Sequence, residues 1–140
     1  MQRAIDEAKK AYAMNEVPVG AVLVKDDKLI TTAHNLMHAT KNPLSHAEYL
    51  VLTQGLEILG ENHLRGCTLY VTLEPCCMCA GAIELSGITS LYFGAYDLKM
   101  GQIDNHHQVL KHTKIQASGG FYENECAALL KNFFKEKRST

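Results

Sequence analysis

The chain has 140 residues, 46% of them hydrophobic and 21% charged, with a formal net charge of −1 when its seven histidines are neutral. A chain of this size and ordinary composition is enough for one well-formed core, so the expectation is a single domain spanning 1–140 and not a disordered or low-complexity segment. No apolar run is long enough to cross a bilayer, and the near-zero charge argues against a broad electrostatic grip on nucleic acid, though a local basic surface remains compatible with it.

From the N-terminus, Ile5, Ala8, Ala11 and Tyr12 recur at three- and four-residue steps, which predicts an amphipathic helix before Asn15. The same stretch interleaves Arg3, Asp6, Glu7, Lys9 and Lys10 with alanines, so it lacks the apolar core of a secretory signal, and a cytoplasmic location is expected. Val17 to Val24 and Lys28 to Ala33 are β-rich runs separated by Lys25-Asp26-Asp27, and they read as an antiparallel hairpin. Asn42-Pro43-Leu44-Ser45 interrupts regular structure before a helix from His46 to Leu59, with Ser45 as the expected N-cap and Gly60 at the C-terminal end. Cys67 to Leu73 is expected to be a strand, Cys76 to Leu85 a helix, and Thr89 to Phe93 a strand; that succession implies a crossover and parallel pairing. Lys114 to Ala117 reads as a short fifth strand and Asn124 to Lys137 as a closing helix. The sum is an α/β fold, a three-layer α/β/α arrangement around a mixed five-stranded sheet.

The chemistry concentrates in His46-Ala47-Glu48 and Pro75-Cys76-Cys77-Met78-Cys79. One imidazole and two thiols spaced i, i+3 are a zinc donor set, and with only three protein ligands the fourth position stays open for water. Both motifs open helices, where the positive end of the helix dipole favours thiolate. Two thiolates neutralise much of the ion's charge, so a nearby base is needed to activate water, and Glu48 stands two residues from His46 for that role. Five cysteines in an odd set, three within four positions, make a poor disulfide framework. A structural zinc site would need Cys67, Cys77, Cys126, His34 or His63 as a fourth ligand, and none has a recommending spacing. A Cys76/Cys79 redox pair would leave His46 and Glu48 without a role.

With these residues placed, the chain resembles the cytidine deaminase-like superfamily, and within it the bacterial tRNA adenosine deaminases of the TadA family. The resemblance is carried by Glu16 to Val24, Asn35, His46-Ala47-Glu48, Tyr70 to Cys76, Cys79 to Ala82, Phe93-Gly94-Ala95, Asp97 and Glu125 to Leu130. It implies hydrolytic deamination of the wobble adenosine, position 34 of a tRNA anticodon stem-loop, to inosine. The metal would be one Zn²⁺ per subunit on His46, Cys76 and Cys79, with Glu48 as the proton shuttle. It further implies substrate contacts from Asn35, Val19, the Ala47 backbone N–H and Asp97, and a homodimer. Lys131, Lys135 and Arg138 on the closing helix are the expected RNA phosphate contacts. Asn35 also reads simply as a turn residue, Asp97 as a loop carboxylate, and Phe133 and Phe134 as inward-facing aromatics of the last helix. One segment departs from the family pattern: after Lys99-Met100-Gly101, where small residues are usual, this chain has Gln102-Ile103-Asp104-Asn105-His106-His107. Two other functions compete, a salvage deaminase acting on a free base or nucleoside such as guanine or cytosine, and a zinc-stabilised binding module without turnover.

Overall fold

Asp26 and Asp27, both at positive φ (52° and 60°), form the two-residue turn that joins β1 (Gly20–Lys25) to β2 (Lys28–His34). Two consecutive left-handed residues match the right-handed twist of the flanking strands, so the hairpin closes with Lys25 opposite Lys28. In the computed structural model, which describes residues 1–138, α1 (Gln2–Ala13) precedes this hairpin. After it come α2 (Met37–Thr40), α3 (Ala47–Leu59), β3 (Cys67–Leu73), α4 (Cys77–Ser86), β4 (Ser90–Ala95), β5 (Gln116–Ser118) and α5 (Glu123–Arg138). The sheet order is β2-β1-β3-β4-β5. β1 runs antiparallel to both β2 and β3, whereas β3, β4 and β5 are mutually parallel.

Alternation along the strands builds the layers. Ala21 and Leu23, Leu69 and Val71, and Leu91 and Phe93 turn to one face and pack with Val51 and Leu52 of α3 and Ala80 and Ile83 of α4. α1 and α5 cover the other face, where Ile5 packs with Ala95 and Cys126. Gly20 is needed there because a Cβ would collide with the Ala4 carbonyl and the Ala8 backbone nitrogen. The result is the expected α/β/α sandwich. No helix among the described residues is long and apolar enough to cross a membrane.

Several boundaries differ from expectation for local reasons. β1 starts at Gly20 rather than Val17, because Pro18 has no N–H to give and the Val19 N–H turns back to the Val17 carbonyl (2.8 Å). Ser45 is not the N-cap of α3: His46 holds that position with extended backbone (φ −76°, ψ 148°), and the Ser45 hydroxyl bonds Thr40 Oγ1 at 2.8 Å. Cys76 likewise caps α4 and stands one residue ahead of it. β5 lies two residues later than expected, after Thr113 Oγ1 has accepted the Ile115 N–H. The short α2 has no signal in its own residues. It is held from a distance by Glu16, only 1% exposed, whose two carboxylate oxygens accept the His38 and Ala39 N–H groups at 2.9 and 2.7 Å.

Candidate active site

The N-termini of α3 and α4 converge at the carboxyl end of β3, the usual position for a site in a sheet with parallel strands. There His46 Nδ1 lies 3.7 Å from Cys76 Sγ and 3.6 Å from Cys79 Sγ. Tetrahedral bonds of about 2.3 Å to sulfur and 2.0–2.1 Å to nitrogen place such atoms about 3.6 Å apart. The three donors therefore already stand at the spacing a shared ion imposes. Among the described residues this is the one group of donors able to hold a metal; Cys67, Cys77, Cys126, His34 and His63 do not join it, and neither does the Glu48 carboxylate. A fourth protein ligand is thus not supplied, in keeping with a site open to water or substrate.

The electrostatics of the cluster point the same way. Cys76 is drawn down to about 4, first by its hydrogen bond with Cys79 and then, against burial, by His46 and the Cys79 backbone N–H at the start of α4. Cys79 is driven strongly upward by that same bond to Cys76 and by burial. A divalent ion shared by the two sulfurs would favour the thiolate form of both. The Cys76 thiol beside the ring foremost, and then the charges on Glu48 and Cys76, raise the His46 imidazole above its ordinary value against burial.

Glu48 is 4% exposed and lies in the first turn of α3. Burial foremost, and the charge on Cys76 after it, raise its carboxyl to about 7, opposed by its own backbone N–H, His46 and Cys79. A carboxyl buried beside three donors able to share a metal ion, and lining the same cavity, is placed to exchange protons with a molecule bound there.

Asn35 follows β2 and is 4% exposed. Its Oδ1 accepts the Ala47 N–H at 2.8 Å, and so serves as the side-chain cap of α3 that Ser45 was expected to provide. That bond occupies the Ala47 amide, the group expected to contact a substrate, within the protein itself. Asn35 Nδ2 is left as a donor at a cavity of about 220 Å³. Val17, Val19, Met37, Leu73 and Met100 give this cavity apolar walls, while Asn35, His46, Glu48, Glu74, Cys76 and Asp97 supply its polar groups. Asp97 is partly exposed, and its carboxylate accepts the Lys99 and Met100 N–H groups at 3.1 and 3.0 Å.

A wider groove of about 690 Å³ shares Val17, Leu73, Asp97 and Met100 with the cavity and continues to Leu130 and Phe134 of α5. The two neighbouring phenylalanines part company here. Phe133 is buried (5%) against Tyr12, with the Lys137 ammonium 5.5 Å from its ring centre, whereas Phe134 is exposed in the groove. Lys131, Lys135 and Arg138 are exposed at i, i+4 and i+7 of α5, on the stripe one residue beyond Leu130 and Phe134, and none lines the cavity itself. His106 and His107 are exposed, with His106 Nε2 2.8 Å from the Leu98 carbonyl. No role was expected of Met37, Leu73, Glu74 or Met100, although Leu73 and Glu74 lie within the Tyr70 to Cys76 stretch; only the folded chain brings them to the cavity.

Comparison with known proteins agrees with this geometry. The model of the MafB19-like deaminase family matches residues 1–138. A tRNA-specific adenosine deaminase of Bacillus subtilis (strain 168) is 44% identical over 99% of this chain and 88% of its own length. One of Agrobacterium fabrum (strain C58) is 41% identical over 99% and 93%. A solved structure from work on A-to-I editing by tRNA:A34 deaminases at the wobble position of transfer RNA superposes with a TM-score of 0.90 at 39% identity, covering 93% of this chain and 97% of that one. Matched along nearly its whole length to relatives of that kind, the chain belongs to the deaminase family of the bacterial tRNA-specific adenosine deaminases.

Proposed function

We propose that this protein hydrolyses the wobble adenosine, position 34 of a tRNA anticodon stem-loop, to inosine, using one zinc ion held by His46, Cys76 and Cys79. The observation that carries the reading is the three-donor cluster at ligand spacing with the buried Glu48 beside it but outside the donor set. Family membership supports adenosine in tRNA as the substrate. When bound, zinc supplies a water made acidic enough to attack at neutral pH and a positive charge for the developing intermediate.

The protein's own residues then account for orientation and proton movement. Glu48 takes a proton from the attacking water and delivers it to N1 of adenine as the oxygen bonds to C6. It next gives the second water proton to the departing amino group, so that the C6–N bond breaks and ammonia leaves. Asn35 Nδ2 donates to an acceptor on the base edge, and Val19 with Leu73 packs against its face. Asp97 stands at the rim, where it suits a ribose hydroxyl. Lys131, Lys135 and Arg138 supply phosphate contacts along α5, on the flank of the groove.

In this reading residues 1–140 act as one cytoplasmic domain, paired in a homodimer. Leu85 is 88% exposed on α4 and a Cβ at Gly81 would meet nothing, which supports an open helix face able to receive a second subunit. Light scattering measures that state. The function is tested by incubating the protein in parallel with an adenosine-34 tRNA and with free bases and nucleosides. Inosine by sequencing, with ammonia released, is the expected result; ammonia from guanine with no inosine in tRNA rejects the proposal in favour of salvage.

A further inference from the structure

Glu74 is a buried acid, 1% exposed, that the chemistry above does not use. Its Oε1 accepts the Asp97 N–H (3.0 Å) and Asn105 Nδ2 (2.7 Å). Its Oε2 accepts the backbone N–H groups of Ile103 (3.0 Å), Asp104 (2.9 Å) and Asn105 (3.0 Å). A carboxylate has about four lone-pair sites, so five donors leave nothing over for a substrate. Two further bonds tie the same region to the turn before α4: Gln102 N–H to the Pro75 carbonyl at 3.0 Å, and Glu74 N–H to the Ala95 carbonyl at 2.9 Å. Gly101 lies so close that a Cβ there would strike the Glu74 carboxylate and the Asp97 carbonyl.

The stretch from Asp97 to Asn105 has no helix or strand, yet it delivers Asp97 and Met100 to the cavity. What shapes it is one anion with the backbone wrapped around it.

We propose that Glu74 is a positioning residue which sets substrate acceptance, its carboxylate acting as the template on which the Asp97–Asn105 wall of the cavity is folded. The inference rests on the deaminase reading and takes the substrate to be a nucleobase presented on an RNA strand. Glu48 and His46 sit on α3, whose N-terminus is held by Asn35 and not by this wall. Loss of the template therefore acts first on the wall and on binding, while Glu48 keeps its position on α3.

Hydrogen exchange, metal content and steady-state kinetics on an adenosine-34 anticodon stem-loop test this in the full-length, metal-loaded protein. In Glu74→Gln, one oxygen becomes an amide that cannot accept. The amides of Ile103, Asp104 and Asn105 should exchange at least about tenfold faster, and KM should rise at least about tenfold, the cost of a lost hydrogen bond to a charged group. The same variant should keep kcat within about threefold and a wild-type metal content. Asn105→Ala removes one donor and leaves the carboxylate, so it carries the test if Glu74→Gln does not fold; KM should rise by about threefold or more. A folded variant with wild-type KM, or one that loses kcat or metal while KM holds, overturns the inference. Wild-type protein that edits no stem-loop would sink the deaminase reading, and the inference with it; wild-type editing with unchanged variant KM sinks the inference alone.

Discussion

Asn35 holds two jobs that substitutions can separate. Its Oδ1 caps α3 through the buried Ala47 N–H, and its Nδ2 points a donor at the cavity. Asn35→Ala removes both. Loss of an N-terminal cap costs about 0.5–2 kcal/mol and an unsatisfied buried donor about 1–3 kcal/mol. These describe the same missing bond, so the expected destabilisation is about 2 kcal/mol. For a domain of this size that lowers the melting temperature by about 4–8 °C. Activity should fall further than stability, by about 10–100-fold in kcat/KM, because the proposed hydrogen bond to the base is lost as well. Asn35→Asp restores an acceptor for Ala47, at a helix end that favours negative charge, but not the donor. It should regain most of the melting temperature and none of the activity. Differential scanning fluorimetry and stem-loop kinetics on the three proteins measure both quantities. A melting temperature for Asn35→Ala within about 1 °C of wild type would refute the cap, and wild-type kcat/KM in Asn35→Asp would refute the donor.

Three further outcomes are expected. Glu48→Ala should bind one metal per chain, as measured by mass spectrometry of the native protein, but lose at least about 10³-fold in kcat; near-normal turnover would place the base elsewhere. Chelation should abolish activity and zinc restore it, while Cys76→Ser and Cys79→Ser should each lower metal stoichiometry; a fully active apoprotein contradicts the metal site. Glu7 supplies a pH effect remote from that site. Burial pushes its carboxyl up, but hydrogen bonds and charge from Lys10 (2.6 Å) and His34 (3.2 Å) outweigh this and hold it below its ordinary 4.5. A depressed carboxylate stabilises the fold above its unfolded value and stops doing so as pH falls through the lower folded one. The gap between wild type and Glu7→Gln in urea unfolding, present at pH 7, should therefore close as pH drops below 4.5; a gap that persists to pH 2 would show that packing, not charge, is responsible.

Much of the fold was legible because its signals are local. Two aspartates between β-rich runs suffice for a tight hairpin, and Gly60 ends its helix in left-handed conformation (φ 65°). The donor set was legible too, since the spacing of Cys76 and Cys79 is short and His46 is tied to a helix start. Expectation failed where a group's partner lay far along the chain. Ser45 is a sound N-cap by residue type, yet Asn35 took the role from β2; Ala47 has a free amide on paper and a buried one in the fold. α2 exists because Glu16 reaches it from before β1.

The amino-acid sequence by itself determined the reaction's reagents: which side chains can bind a soft divalent ion, and which carboxylate stands near enough to move protons. Tertiary structure alone decided the cavity around them. Val17, Leu73, Met37 and Met100 are ordinary apolar residues until the sheet and two loops converge, and Glu74 is an acid without a role until five N–H groups fold onto it. Ligand spacing is a short-range property written in neighbouring residues. The shape of a pocket depends on contacts between distant segments, and those exist only once the core has formed.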